Sequence, residues 1–521
     1  MKEPVIGIDL GTRYALAAHC PPGGSPRVLP NRWGRWRTPS YVALVGRDLV
    51  AGEEAARVAL TSPDRAWWDV KRKLGTDWVA RSGGHAYGAE DLLVPLLSLV
   101  REDAEASLGS FVRSGVLAVP AHFGFPERGA LARAARKAGF EEIRIVNEPT
   151  AATLSVGPQG RFLVLDFGGG TLDLSVVEGE NGVFQVLDSL GRSDLGGYDL
   201  DRRLAQWLWR RLGGGAPSFE DPRWFHLLRE AEQVKIALSD ARTFLWVPPK
   251  GWGSDEPVTV QREDLERLIS PVLDEILRLV ERLFRRHRPH RLLLVGGSSR
   301  IPLLRQRLAE RVAEPEHLRA CPDEAVALGA ALFARQGRER LLLDVLSQPL
   351  GLAQADGSVS LLLARGTPLP AEARQELWAR EAGPLVLTVV QGEGPLRDAG
   401  RILQRIDLPF ACQGERVEIL FKVDGSGLLT VEVFQRSGTS RRVVALEGRG
   451  DVGSVDLEAE LRLRQDRIVR LSLALDPAHQ ERLSSLWGQF RLFRGEEEGL
   501  SREALDVLDR LILDLERVVG S

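Results

Sequence analysis

Apolar positions in this chain follow two different rhythms, and the change comes near residue 341. Before it, short unbroken apolar runs alternate with segments of helical periodicity. Val5-Ile6-Gly7-Ile8 and Leu163-Val164-Leu165 are runs of strand length, each closed by an acid, Asp9 or Asp166, and then by a glycine turn with a threonine. A second apolar strand returns from each turn, Leu172-Asp173-Leu174-Ser175-Val176-Val177 in the later copy. Residues 127–138 have helix-forming composition and stop at Gly139, which suits a left-handed C-terminal cap. Residues 261–287 place apolar side chains at helical spacing, and residues 291–297 read as a buried strand running into another glycine turn. Strand and helix alternating in this way predict an α/β architecture.

Two matching hairpins about one domain length apart predict two similar lobes facing each other across a cleft, with a ligand between the turns. Past residue 341 the rhythm becomes strict alternation. Leu385, Leu387 and Val389 share one phase, as do Leu429, Val431 and Val433, and Asp424-Gly425-Ser426-Gly427 is a turn between strands. Residues 347–446 therefore read as a β-sandwich. In the tail, Val455, Leu457, Ala459, Leu461 and Leu463 alternate and favour one more hairpin, although their neighbours also suit a helix. Asp476-Pro477 then supplies a helix start, and Leu505, Leu508, Ile512 and Leu515 mark a final amphipathic helix. The expected divisions are 1–340, a linker at 341–346, a β-rich domain at 347–450 and a short C-terminal segment at 451–521.

Composition narrows the function classes. The chain has 521 residues, more than one core usually organises, with 44% hydrophobic and 27% charged residues, the balance of a globular protein rather than a fibrous, disordered or membrane one. A net charge of -3 supplies no global basic field, so neither nucleic acid nor membrane is an expected partner. The N-terminal apolar run breaks at Asp9, too early for a secretory or spanning segment, and a cytoplasmic location is expected. Cys20, Cys321 and Cys412 have no paired spacing and suggest neither disulfide nor zinc. The basic cluster Arg278, Arg282, Arg285, Arg286, Arg288 and Arg291 reads as the solvated end of a helix. The pairs Trp67-Trp68 and Trp207/Trp209 read as packing.

The glycine turns carry the chemistry. A triphosphate entering a cleft needs convergent donors and a cation, because its charge is costly to bury uncompensated. At Gly11-Thr12 and at Gly168-Gly169-Gly170-Thr171 the missing Cβ atoms let backbone N–H groups approach phosphate oxygens, and the threonine hydroxyls add contacts. Asp9 and Asp166 suit hydrated Mg2+, which takes few carboxylates and keeps several waters. One such turn is common loop furniture. Two of them together with Gly296-Gly297-Ser298-Ser299-Arg300 form an ordered three-part pattern for phosphates and adenosine.

With these stretches in view, the sequence resembles the DnaK-type heat shock protein 70 chaperone family. The match also takes in Val119-Pro120-Ala121, Asn147-Glu148-Pro149-Thr150-Ala151-Ala152, Leu195-Gly196-Gly197 and Pro322-Asp323-Glu324-Ala325-Val326-Ala327-Leu328-Gly329-Ala330-Ala331. The resemblance implies an actin-like, ribonuclease H-like two-lobed ATPase domain, then a β-sandwich and a short C-terminal helical segment. It implies that Lys71 positions the attacking water and γ-phosphate, with Glu148, Thr171 and Asp173 beside it. Gly11, Thr12, Arg13 and Tyr14 form the first phosphate turn. Glu232, Lys235 and Ser239 form an adenosine wall, completed by Gly196, Gly197, Gly296, Gly297, Ser298, Arg300 and Asp323.

By the same resemblance Pro120 and Arg128 form a switch and relay, residues 341–345 with Asp344 form the interdomain linker, and Arg144 contacts a J-domain co-chaperone. Leu352, Ala355 and Leu385 match positions of a groove for extended peptide. The implied ligands are ATP or ADP, Mg2+ and, as a further candidate, K+. The implied partners are unfolded or extended polypeptides, a J-domain protein and a nucleotide-exchange factor. The chain departs from the pattern at three places. Arg13 stands where the family carries a small threonine, the segment at residues 81–88 is short, and the region after Leu446 is too short for the usual lid. Arg13 keeps an alternative open, a catalytically weakened regulatory module recognising one dedicated protein. A small-molecule kinase sharing the lobed plan is disfavoured by the β-rich second half.

Overall fold

The computed structural model describes residues 3–446 except 158, 181–182, 193–194, 214–221, 253–255, 313–321, 337–341, 344, 347, 355–357, 380–381, 393–400, 412 and 436–440. The expected tail hairpin and final helix lie outside the described residues. The chain forms two compact units. One comprises Met1–Pro349 with Leu363–Ala371 and Val423–Leu429, the other Leu350–Leu362, Glu372–Lys422 and Thr430–Ser521.

The first unit holds two sheets with one plan. In the first, the order is Glu142–Asn147, Ser114–Val119, Val5–Leu10, Tyr14–His19, Arg27–Leu29. In the second it is Arg291–Val295, Gly160–Phe167, Leu172–Glu180, Val183–Arg192, Leu342–Leu343. In each, the strand ending in the motif acid pairs in parallel with one neighbour and antiparallel with the strand that follows it. The duplicated hairpins noted in the sequence thus occupy equivalent places, and the α/β two-lobed fold is present. The strand Ser114–Val119 is buried almost throughout, as a parallel strand covered on both faces must be.

Local chemistry explains the helix ends. The helix Phe125–Lys137 begins at Gly124, whose N–H donates to Glu127 Oε2 at 3.1 Å, and it ends beside Gly139 at φ 95. The helix Arg262–His287 buries Leu265, Ile269, Val272, Leu273, Ile276, Leu277, Val280 and Leu283, one apolar stripe at three- and four-residue spacing. Its last turn carries Arg285, Arg286 and His287, as a helix C-terminus favours. The basic end is solvated as expected, Arg282, Arg285, Arg286 and Arg288 all being exposed, although Arg286 Nη1 and the half-buried His287 Nε2 also lie 3.1 and 3.0 Å from Asp188 Oδ2. Trp68 packs at 4.3 Å from the Phe225 ring and 6.1 Å from Tyr41, so this pair is packing, as expected.

The helices Glu148–Val156 and Ala325–Gln336 cross at Gly329, where a Cβ would lie 1.7 Å from the Ala151 carbonyl oxygen. Small residues at Ala325, Ala327, Ala330 and Ala331 let the second helix rest against the first sheet as well. Part of the motif that carries the family resemblance is therefore there for close packing.

The strands Val359–Leu363, Leu350–Ala353, Gly383–Gln391 and Arg401–Ala411 form one four-stranded sheet; Ala371–Trp378, Arg416–Val423, Leu429–Gln435 and Arg441–Leu446 form another. Leu429, Val431 and Val433 are all buried, in the phase their alternation predicts. Leu387 and Val389 are buried while Leu385, in the same phase but next to the register shift between Gly383 and Leu385, is half-buried.

Candidate functional site

Five charged residues converge from separate elements of the first unit. Asp9 lies near the end of Val5–Leu10, Lys71 on the short turn Val70–Lys73, and Glu148 at the start of its helix. Asp166 sits near the end of Gly160–Phe167, and Asp173 lies opposite it on the paired strand. Lys71 Nζ lies 2.5 Å from Glu148 Oε1, and the two residues are 6% and 5% exposed. Its neighbours Arg72 and Lys73 are only half-buried. The surface reading that its basic neighbourhood suggests does not apply to Lys71.

Burial works against the Lys71 ammonium, but Glu148 and then Asp9 outweigh it and hold its pKa above the ordinary value. Burial raises Asp9, Glu148 and Asp166. Asp9 is pushed up to about 7, with Glu148 adding to the effect and Lys71 opposing it. Asp166 is raised well above its usual range by burial and then by Glu148, Asp173 and Asp9. Glu148 is also raised, Lys71 offsetting part of the shift. Four acids around one ammonium leave excess negative charge, which a cation relieves. Among the described residues no three His, Cys, Asp or Glu side chains are placed to hold a metal directly. That donor set fits a hydrated Mg2+ held through its waters.

Glycine is required where the turns meet. A Cβ on Gly170 would lie 2.5 Å from Thr12 Oγ1, and one on Gly196 would lie 2.5 Å from the Gly170 carbonyl carbon. Gly197 N–H donates to Gly168 O at 2.9 Å, Tyr198 N–H to Gly169 O at 2.7 Å, and Ser298 Oγ to Gly168 O at 2.9 Å. The Gly168–Thr171 turn is thus held against the N-terminus of the helix Gly197–Arg211, an end that favours anions. Thr171 is half-buried beside it.

The third motif turns at Gly296, with φ 79, into the short turn Gly297–Arg300. Arg300 Nη2 pairs with Asp323 Oδ2 at 2.7 Å. Lys235 Nζ pairs with Asp201 at 2.7 Å and donates to Gly197 O at 3.2 Å. The Ser239 hydroxyl donates back to Lys235 O within its own helix. Tyr14 is 39% exposed, with the Arg37 guanidinium 5.0 Å from its ring centroid.

Arg13 is fully engaged. Its guanidinium lies 3.2 Å from Glu232 and 3.6 Å from Asp201, donates to Tyr41 Oη at 3.2 Å, and sits 5.7 Å from the Tyr198 ring centroid. Its Cγ would be 2.7 Å from a Cβ on Gly169. Burial opposes its charge, but Glu232, Tyr41 and Asp201 raise its pKa further. It spans from the turn at Gly11–Tyr14 to Glu232, a residue matched to the adenosine wall, and to Asp201.

One cleft residue escaped sequence reasoning. His122 Nδ1 lies 2.7 Å from Asp173 Oδ1. The available signal was a histidine just past the C-terminal end of a parallel strand, where ligands of α/β sheets gather.

The expected coupling residues are placed as follows. Pro120 is buried, and its carbonyl accepts from Phe123 N–H at 3.0 Å. Arg128 donates to Phe123 O, to Asn147 Oδ1 at 2.5 Å and to Ser426 O at 2.9 Å, the last within the Val423–Leu429 segment of the same unit. Arg144 donates to Ala334 O at 3.2 Å, at the end of the helix Ala325–Gln336, and lies 4.8 Å from the Phe333 ring centroid. Leu342 and Leu343 pair in parallel with Phe184 and Gln185. Leu352 is buried opposite Val389, and Leu385 lies opposite Leu408 in the same sheet. Asp344 and Ala355 lie outside the described residues.

Comparison with known proteins matches residues 5–82 and 78–467 to the family described as Hsp70 protein. The chain is 31% identical over 491 residues to the chaperone protein DnaK of Thermotoga neapolitana, across 88% of this chain and 82% of that one. It is 31% identical over 484 residues to chaperone protein DnaK of Mycoplasmopsis synoviae, across 88% of this chain and 81% of that one. It is 32% identical over 463 residues to chaperone protein DnaK of Methanothermobacter thermautotrophicus, across 82% of this chain and 78% of that one.

Proposed function

This chain belongs to the Hsp70 family and is an ATP-hydrolysing chaperone that couples nucleotide state to binding of unfolded polypeptide, and we propose that the buried Lys71–Glu148 pair is the centre of its hydrolytic site. The single observation that carries this reading is that pair, 2.5 Å apart, set among Asp9, Asp166 and Asp173. Backbone N–H groups of the turns at Gly11-Thr12 and Gly168–Thr171 bind the phosphates. The Lys71 ammonium stabilises charge that grows on the γ-phosphoryl group in the transition state, where preorganised cations act most strongly. Glu148 holds that ammonium and helps to orient the attacking water. Thr171 places its hydroxyl beside the γ-phosphate, and Asp9 and Asp166 hold waters of the metal. Mg2+, when bound, neutralises phosphate charge. Glu232, Lys235, Ser239 and Arg300 flank the adenosine.

The finer partners belong to this proposal too: a J-domain co-chaperone at Arg144, a nucleotide-exchange factor, K+ as an accessory cation, and a cytoplasmic setting. No described helix is long and apolar enough to cross a membrane. Extended peptide is assigned to the sheet carrying Leu352 and Leu385, by backbone pairing and an apolar pocket. Single-turnover ATP hydrolysis with and without an unfolded peptide is the test. Acceleration by peptide that disappears in Lys71→Ala is expected, and acceleration that survives in that variant would sink the assignment. The second reading, a catalytically weakened regulatory module, is favoured by Arg13 alone, whose guanidinium pairs with Glu232 and Asp201. It predicts tight nucleotide binding with no turnover.

A further inference from the structure

We infer that His122 is a positioning residue for ATP hydrolysis, holding Asp173 by one carboxylate oxygen so that the other is presented to the attacking water. This rests on the reading of the cleft as the hydrolytic site.

The geometry comes from three strands. His122 follows Ser114–Val119 of the first sheet, while Asp173 and Gly191 are direct cross-strand partners in the second. Gly191 makes the contact possible, since a Cβ there would lie 2.5 Å from His122 Nδ1 and 2.7 Å from its Cγ. With the ring seated on Gly191, Nδ1 meets Asp173 Oδ1 at 2.7 Å. Phe123 packs on the ring edge-on, with centroids 5.5 Å apart at 83°. Asp173 is 1% exposed, and its Oδ2 is buried without a protein partner, as is His122 Nε2. A carboxylate oxygen left open in a buried catalytic cleft is suited to accept from a water, and the imidazole fixes which way it faces.

The charged groups facing His122 are Asp173, Glu148 and Lys71. Burial disfavours the imidazolium, but Asp173 and then Glu148 outweigh both burial and Lys71, so the group titrates above its ordinary 6.5. The protonated ring also offsets negative charge next to the γ-phosphate site. Loss of that proton at higher pH removes the offset while the Nδ1–H bond to Asp173 remains available.

The test is the single-turnover rate against pH at saturating Mg-ATP, for the full chain and three variants. The unmodified chain is expected to lose rate as pH rises through the His122 titration. His122→Ala, which removes both bond and charge, slows hydrolysis by about tenfold to a hundredfold, the cost of a misplaced catalytic group. His122→Asn keeps a donor near the Nδ1 position and restores part of the rate, but without the falling limb. Gly191→Ala displaces the ring and reproduces the loss while retaining the histidine. The inference is overturned if His122→Ala keeps the rate of the unmodified chain, or if the falling limb persists in both His122 variants. Lys71→Ala run alongside separates the two failures: normal turnover in that variant overturns the site assignment itself, whereas loss of turnover there with unaltered His122 variants overturns only the role of His122.

Discussion

The guanidinium of Arg13 reaches from the turn Gly11–Tyr14 to Glu232 and Asp201, so on the proposed reading of the cleft one side chain ties the phosphate turn to the adenosine wall. A largely buried, multiply paired arginine is worth more than an exposed pair, and each 1.4 kcal/mol is about tenfold in a rate or equilibrium. Arg13→Thr is therefore expected to speed release of a fluorescent ADP analogue about tenfold in stopped flow. An unchanged release rate would show that the guanidinium serves the phosphates instead. The His122–Asp173 pair carries a separate expectation for stability. Its raised pKa means that the stabilisation is fully present below 6.5 and is lost as pH rises through the raised value. Urea midpoints of the unmodified chain and His122→Asn should differ most in mild acid and draw together as pH rises. The acids and glycines of the turns were legible in the sequence because their spacing is local. Lys71 was legible only through the family register, since Arg72 and Lys73 make its neighbourhood look solvated. His122 was not legible, because its partner lies 51 residues away and only the fold brings them together.

Hairpins, helices and their order were readable because each depends on a short-range period. Interruptions of that period were not. The register shifts flanking Leu385–Val389 depend on the partner strand and leave no local mark in the alternation. The basic helix end is solvated as its composition suggests, but the pairing of Arg286 and His287 with Asp188 was hidden because that acid belongs to a distant strand. The crossing at Gly329 is the clearest case of an element contact decided by one absent atom. A side chain there must push the helix Ala325–Gln336 off Ala151, and overpacking of this kind costs about 1–3 kcal/mol or more. Gly329→Val should lower the urea midpoint accordingly and weaken nucleotide binding with it, because the side chain presses on Ala151 of the helix that Glu148 heads. A midpoint unchanged from that of the original chain would show that the crossing yields without strain.

The two-unit organisation places the segment after residue 341 at the margin of the second sheet. The short strand Leu342–Leu343 extends that sheet by one parallel pairing. Proline cannot supply a ladder N–H, so Leu343→Pro is expected to abolish peptide acceleration of turnover while ATP binding, titrated by calorimetry, persists. Retained acceleration would mean that the pairing plays no part in coupling. The apolar run at residues 341–345 was readable, but the strand that pairs with Leu342–Leu343 was not, since a two-residue pairing has no period of its own.

That pairing has a further consequence for the strand Val183–Arg192. Whenever Leu342–Leu343 lifts away, the backbone at Phe184 and Gln185 loses its neighbour, and an unshielded sheet margin pairs readily with other extended chains. The strand Leu342–Leu343 thus covers backbone that would otherwise be open at that margin.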